Sequence, residues 1–305
     1  MNDTNSTNRP TAHKSRAYLL LTITAGCWGV NAILGKIAVG EISPMLLVTL
    51  RWLSVVILLL LFAGKYLRQD WPILRYHLGY ICLMGTLGFT AFNALFYSAA
   101  HYTSAINIGI LQGAIPVFVL LGTYQLYQSK ITGLQIFGLI VTLVGVVTVA
   151  CGGDLSQLTS LSINRGDLFM LLACLFFAGY SIGLSRRPMV SALGLFTSIA
   201  IVAFIVSLPL LAIEMASDKF LAPTKIGWLI VALVSLLPSL IAQVFFIHGV
   251  SLIGPERAGV FVNLVPVFAS IMAVGYLQET FEVFHAVALA LILGGIGLSE
   301  FGKQT

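Results

Sequence analysis

Polar residues in this chain fall in short clusters, and between them the apolar residues run for lengths that suit a membrane. A bilayer core about 30 Å thick is crossed by roughly 20 helical residues. By that ruler the pattern predicts spans at 17–39, 44–63, 78–100, 104–127 and 131–150, then 166–185, 190–213, 224–249, 256–277 and 282–300. The connections are short except for 151–165, which is rich in Gly, Ser and Leu and joins the two groups of five. Residues 1–16 are polar and rich in Asn and Thr, which predicts a disordered start without the small-residue cleavage pattern of a signal peptide. Residues 301–305 form a short polar tail.

The two groups of five match at a fixed offset of 150 residues. Gly29 pairs with Gly179, Phe96 with Phe246, Gly109 with Gly259 and Gly145 with Gly295, and Pro116-Val117-Phe118 recurs as Pro266-Val267-Phe268. Leucine matches are cheap in so apolar a chain, whereas glycines and a tripeptide are not. Two related halves in a hydrophobic protein predict a transporter with its site where they meet.

Charge sets the direction of threading. With a cytoplasmic N-terminus, eleven of the sixteen basic residues lie on the inside and four (Lys36, Arg165, Lys219, Lys225) on the outside, with Arg51 left within a span. Both termini are therefore expected in the cytoplasm. Because five is odd, the second copy enters from the opposite side, so the repeats are inverted. The expected fold is all-α: ten transmembrane helices in two inverted five-helix repeats, 17–150 and 166–300, around a central cavity.

Composition removes other classes. Charged residues are 9% and hydrophobic residues 58% of 305, against about 25% charge in a soluble domain, so water is not this chain's solvent. The net charge of +5 is placed between apolar runs, where it orients helices and offers no nucleic-acid surface. Cys27, Cys82, Cys151 and Cys174 share no CxxC spacing and read as packing residues. There is no GxxxxGK[ST] loop, no HExxH and no GxSxG, so no ATP hydrolysis, metal or cofactor is expected, and no nucleophile and base can be named for an enzyme. All eleven acidic residues lie outside mid-span positions, which argues against proton antiport and cation export and for facilitated diffusion.

Polar groups inside the spans are the candidate chemistry, since each must find a partner or face a cavity. Thr86, Thr90, Asn93 and Tyr97 share one face of the third span, as Ser235, Ser239 and Gln243 share one of the eighth. Asn93 and Gln243 are equivalent by the offset, and two such amides could hold an amino or carboxylate group; plain interhelical hydrogen bonding is the other reading. Pro116 and Pro266 near mid-span would free the carbonyls of Gln112 and Val262, beside the side chains of Gln112 and Asn263, and could serve as hinges or as static kinks. Pro238 is a weaker case of the same kind. Trp28 and Asn31 in the first span and Tyr180 in the sixth could line an apolar cavity, or simply pack. Arg51 could meet an anion, but snorkelling or pairing with carbonyls is the expectation. His248 and His285 lie near span ends, where solvent or headgroups would satisfy them. Gly133, Gly138 and Gly145 in the fifth span, and Gly294, Gly295 and Gly297 in the tenth, offer small surfaces for helix contact.

Trp28-Gly29-Val30-Asn31 followed by Lys36 resembles the opening of an EamA-type repeat, and Pro44 with Arg51 resembles its second span. The likeness continues through Pro116-Val117-Phe118, Gly166-Asp167 and Pro266-Val267-Phe268, covering about residues 17–300. It implies the drug/metabolite transporter superfamily and, within it, amino-acid exporters of the YddG type. The fold so implied is a basket with a cavity lined by spans 1, 3, 4, 6, 8 and 9. The motifs encode packing and carry over no substrate ligand, so the candidate site rests on the polar faces: Trp28, Asn31, Thr90, Asn93, Tyr97, Gln112, Tyr180, Ser239, Gln243 and Asn263. The expected activity is export of neutral or aromatic amino acids and related metabolites across a bacterial inner membrane, by alternating access. Efflux of drugs or of another metabolite is the alternative within transport, and an intramembrane enzyme or a non-transporting membrane protein lies outside it. Expected partners are the solute and membrane lipid, and the expected state is a monomer.

Overall fold

In hydrocarbon, backbone polar groups must be satisfied within their own segment, so apolar runs of this length become helices. The computed structural model describes residues 9–128, 132–154, 164–218, 220–253, 258 and 261–302, which are helical between short connections and contain no strand. The helices are α1 (Arg9–Ile37), α2 (Pro44–Leu74), α3 (Leu78–Met84), α4 (Phe92–Ala99), α5 (Ala105–Leu111), α6 (Ile115–Tyr127) and α7 (Gly133–Ala150). The second half supplies α8 (Arg165–Gly183), α9 (Ala192–Met215), α10 (Lys225–Val234), α11 (Ala242–Ile253), α12 (Val265–Leu277) and α13 (Val283–Gly302). The expected starts of the fifth span at 131 and the ninth at 256, most of the 151–165 link, the 303–305 end and Gly259 lie outside the described residues.

Among the described residues, eight helical stretches are long and apolar enough to cross a membrane, with Phe261–Leu277 a shorter ninth. One stretch, Pro44–Ala99, is 56 residues. As a straight rod it would be about 84 Å long and would hold Arg51 and Tyr97 about 69 Å apart. They touch instead, Arg51 Nη1 to Tyr97 Oη at 2.6 Å, so the stretch folds back on itself at the tight turn Arg75–His77. The second span is thus helical well past the expected end at 63, reaching Leu74. The first helix begins at Arg9, eight residues before the expected Ala17, which corrects the reading of 9–16 as disordered.

The repeat relation is visible in the backbone. A π-helical segment at Gly85–Ala91 recurs at Ser235–Ile241. Gln128 and Gln278, the residues ending α6 and α12, both take left-handed conformations, with φ of 50° and 55°. Equivalent helices also lie side by side and run in opposite directions. Glu214 near the end of α9 accepts from Met45 N and Leu46 N at the start of α2, both at 3.0 Å. Asp70 near the end of α2 accepts from Ser191 N at 3.0 Å, at the start of α9. Each carboxylate meets the orphan N–H groups and positive dipole end of the other helix. In the same way Thr132 ahead of α7 donates to Gly302 O ending α13, and Gly153 after α7 lies on Phe284 of α13. Antiparallel mates are what an inverted repeat requires.

Lipid offers no hydrophobic drive between helices, so close packing must hold the scaffold. A Cβ at Gly138 would stand 2.4 Å from Gly295 O, and one at Gly295 would stand 2.5 Å from Gly138 O, so α7 and α13 approach backbone to backbone. Gly145 also packs on α13, whereas Gly133, Gly294 and Gly297 face open space. Large apolar residues such as Leu61 and Phe62, 73% and 78% exposed, are suited to a lipid-facing position.

Candidate functional site

The centre of the site is Arg51, 5% exposed, and its place depends on Pro238, the residue before its partner Ser239, which lies 188 residues away in sequence. A proline lacks the N–H that would reach the carbonyl four residues back, here Val234 O. The chain relaxes into the π-helical segment Ser235–Ile241, and Ser239 Oγ donates to Val234 O at 2.6 Å in its stead. With its proton so committed, Ser239 Oγ accepts from Arg51 Nε at 2.7 Å. The carbonyl of Pro238 itself accepts from Trp28 Nε1 at 3.1 Å.

Arg51 Nη1 donates to Asn93 Oδ1 at 2.7 Å, to Tyr97 Oη at 2.6 Å and to Asn31 Oδ1 at 3.3 Å. Tyr97 in turn donates to Asn31 Oδ1 at 2.9 Å, and Asn93 Nδ2 donates to Phe89 O at 2.6 Å. Ser235 Oγ reaches Arg51 O at 3.4 Å. Helices of both repeats therefore converge on one guanidinium. All of its partners are neutral: among the described residues no carboxylate pairs with it. This corrects the expectation that Arg51 snorkels; the carbonyls it meets are the side-chain amides of Asn31 and Asn93. The sequence reading missed it as the hub because its acceptors come from three separate helical segments.

Aromatic rings extend from the cluster toward α8. Trp52 stacks on Phe89 with centroids 4.5 Å apart and planes 4° from parallel. Phe89 also meets Tyr180 at 5.5 Å and Phe196 at 5.9 Å, and Phe177 joins Tyr180 to Phe92. The Tyr180 ring lies against Gly88, where a Cβ would stand 2.4 Å from a ring carbon, so only glycine admits this approach.

Four of the ten candidate residues, Asn31, Asn93, Tyr97 and Ser239, meet around Arg51, and each is 5% exposed or less. Trp28 joins through Pro238, and Tyr180 belongs to the ring stack. Thr90 does not share the face of Asn93. The π-helical segment Gly85–Ala91 carries extra backbone per turn and rotates Thr90 onto α9, where it donates to Ala203 O at 3.0 Å. The two amides expected to act together stand differently: Asn93 is buried in the cluster, while Gln243 is half-buried and makes no side-chain hydrogen bond among the described residues. Gln112 turns back to Ile108 O at 3.3 Å, and Asn263 sits half-buried in the turn Phe261–Leu264. Neither reaches Arg51. Pro116 and Pro266 each follow directly on a 3₁₀ turn, Gln112–Ala114 within the unbroken helical stretch Ala105–Tyr127 and Phe261–Leu264 in the second half, and each stands in the first turn of the α-helix that resumes there. The Gln112 carbonyl expected to be free accepts from Ile115 N.

The cluster is buried in this conformation, with Arg51 and its four side-chain partners each 5% exposed or less. A second buried polar group closes one end of the bundle. Asp167, 2% exposed, accepts from Thr103 Oγ1 at 2.6 Å and from Asn107 Nδ2 at 3.4 Å. His285, expected to be satisfied by solvent, is 5% exposed; it meets Asn107 Oδ1 at 3.2 Å and accepts from Glu282 N at 3.0 Å. Lys36 anchors the same turn by donating to Ala100 O and Thr103 O.

Two repeats, antiparallel mates and a shared polar centre are the architecture on which family comparison bears. The EamA-like transporter family matches residues 15–151 and again 164–300. The chain belongs to that family. As an EamA-family protein it is a multi-pass membrane transporter, and the two matches coincide with the repeats seen in the fold. It is 26% identical to the uncharacterized transporter YetK of Bacillus subtilis (strain 168), over 94% of this chain and 88% of that one. It is 27% identical to the uncharacterized transporter YyaM of the same organism, over 94% and 95%. With the uncharacterized inner membrane transporter YedA of Escherichia coli (strain K12) it shares 26% identity over 90% and 88%. A protein crystal structure superposes with a TM-score of 0.61 at 18% identity, covering 94% of this chain and 97% of the other, which speaks to fold alone.

Proposed function

We propose that this EamA-family protein exports neutral and aromatic amino acids, and related small metabolites, across a bacterial inner membrane by alternating access. The observation that carries the reading is the convergence of both repeats on one buried polar cluster beside an aromatic stack. A polar centre orients the backbone end of an amino acid, and the rings of Trp52, Phe89, Phe177 and Tyr180 accept an apolar side chain. Counting the folded-back stretch as two crossings and Phe261–Leu277 as one gives ten. The distribution of basic residues supports a cytoplasmic position for both termini, and the inner-membrane description of the relative YedA supports the choice of membrane.

Alternating access needs places where packed helices can change angle. The 3₁₀ turns before Pro116 and Pro266 recur in both halves, and their hydrogen-bond geometry is poorer than that of the flanking helices. We assign the hinges there. Transport is facilitative, since among the described residues no acidic side chain stands mid-span to hold a coupling proton.

Purified protein in liposomes tests the reading through counterflow of radiolabelled phenylalanine and leucine. Saturable uptake in excess of empty vesicles is expected. Uptake of drugs or nucleotide sugars with no amino-acid flux would overturn the cargo, and chemical conversion of the solute would overturn transport. Uphill accumulation under an imposed pH gradient would overturn facilitated diffusion.

A further inference from the structure

Two adjacent residues of α2 hold donors that nothing in the structure uses. Arg51 engages Nε and Nη1, while Nη2 makes no hydrogen bond among the described residues. The indole Nε1 of Trp52, a residue 3% exposed, is buried with no partner. The guanidinium carbon lies 5.3 Å from the Trp52 ring centre, so both sets of idle donors belong to one locality. A buried donor without an acceptor, as at Trp52, and a buried cation without a counter-charge, as at Arg51, are each unfavourable states for a folded chain.

The acceptors of the cluster are, by contrast, already taken. Asn31 Oδ1 receives both Arg51 and Tyr97, Asn93 Oδ1 receives Arg51, and Ser239 Oγ receives Arg51. The surroundings thus offer unused donors and positive charge, and little to an incoming donor. Described acidic groups near the helix ends are engaged elsewhere: Glu214 on α2, Glu279 on α5 and Asp167 with Thr103.

Resting on the transport reading above, we propose that Arg51 and Trp52 bind the cargo's carboxylate, so that the site selects solutes by their anionic end and makes no specific demand for an amine. A carboxylate supplies acceptor lone pairs for the two N–H groups of Nη2, and the indole N–H is a third donor for the same group. The Trp52–Phe89 stack sets a flat apolar group next to it. Aromatic monocarboxylates are therefore ligands on a par with aromatic amino acids, while the corresponding amines are excluded by the uncompensated cation.

Three probes that share one ring separate the contributions: L-phenylalanine, 3-phenylpropionate without the amine, and phenethylamine without the carboxylate. Binding is read as ligand-dependent thermal stabilisation of the detergent-purified protein. The two carboxylates are expected to bind within about threefold of each other, and phenethylamine to give no saturable shift. Arg51→Gln removes the charge and weakens both acids about ten- to hundred-fold, the range of one charge-assisted hydrogen bond. Asn93→Asp places a carboxylate where Oδ1 already lies 2.7 Å from Nη1. That variant is expected to melt no lower than wild type and still to lose acid binding, because the counter-charge is then built in. It decides the matter if Arg51→Gln does not fold. Binding of phenethylamine with none of 3-phenylpropionate, binding of neither, or undiminished acid binding by Asn93→Asp would each overturn the proposal. Failure of the transport reading looks different: acid binding intact with no amino-acid flux in liposomes overturns the cargo and leaves the carboxylate site standing.

Discussion

Asn93 and Gln243 occupy equivalent places in the two repeats, yet their replacement by leucine should have unequal consequences. Asn93 Oδ1 accepts from the Arg51 guanidinium at 2.7 Å, and its Nδ2 satisfies Phe89 O. Asn93→Leu leaves a buried cationic N–H with fewer acceptors. Hydrogen bonds to charged groups are worth about 1.5–3 kcal/mol, whereas neutral interhelical ones in a membrane protein average about 0.6. Because Tyr97 and Asn31 remain to share the load, the expected loss is about 2 kcal/mol, below the top of the charged range. Gln243 is half-buried and makes no side-chain hydrogen bond among the described residues, so Gln243→Leu should stay within about 0.5 kcal/mol of wild type. Equilibrium unfolding in mixed micelles, titrated with dodecyl sulfate and followed by tryptophan fluorescence, measures both. Equal destabilisation, or the larger loss at Gln243, would refute the assignment of Arg51 as the hub.

Pro238→Ala restores an N–H for Val234 O and releases the Ser239 hydroxyl from that carbonyl; transport should fall while unfolding stability holds or rises, and a loss of stability without loss of flux would contradict this. Gly295→Val should destabilise by about 1–3 kcal/mol or more, since its Cβ would meet Gly138 O, while Gly294→Val, which faces open space, should be nearly silent in the same assay. Glu214→Gln should cost about 1–2 kcal/mol, as one of the two N–H groups starting α2 loses its acceptor and the dipole loses its charge.

The repeat was legible from glycines, because these mark close approach wherever they fall. Asn31, Asn93, Tyr97 and Ser239 were legible as polar groups in hydrocarbon that must face something. Arg51 was not legible as their common partner, since the acceptors stand 20, 42, 46 and 188 residues from it and no local pattern joins them. The π-helical segments also escaped a reading based on a 3.6-residue period. Pro238 signals the second, but Gly85–Ala91 contains no proline, and Thr90 was consequently assigned to the wrong face. His285 was misjudged because distance from mid-span says nothing about what a neighbouring helix supplies at that depth, here Asn107.

The π-helical turns stand at matching positions in both halves, but the guanidinium stands in only one: the residue 150 places after Arg51 is Ile201. Backbone irregularity is thus common to both copies, whereas the charge belongs to one. A solute at the centre meets unlike walls even though the machinery that moves around it is built in duplicate, so motion can be reciprocal while affinity is set by one copy.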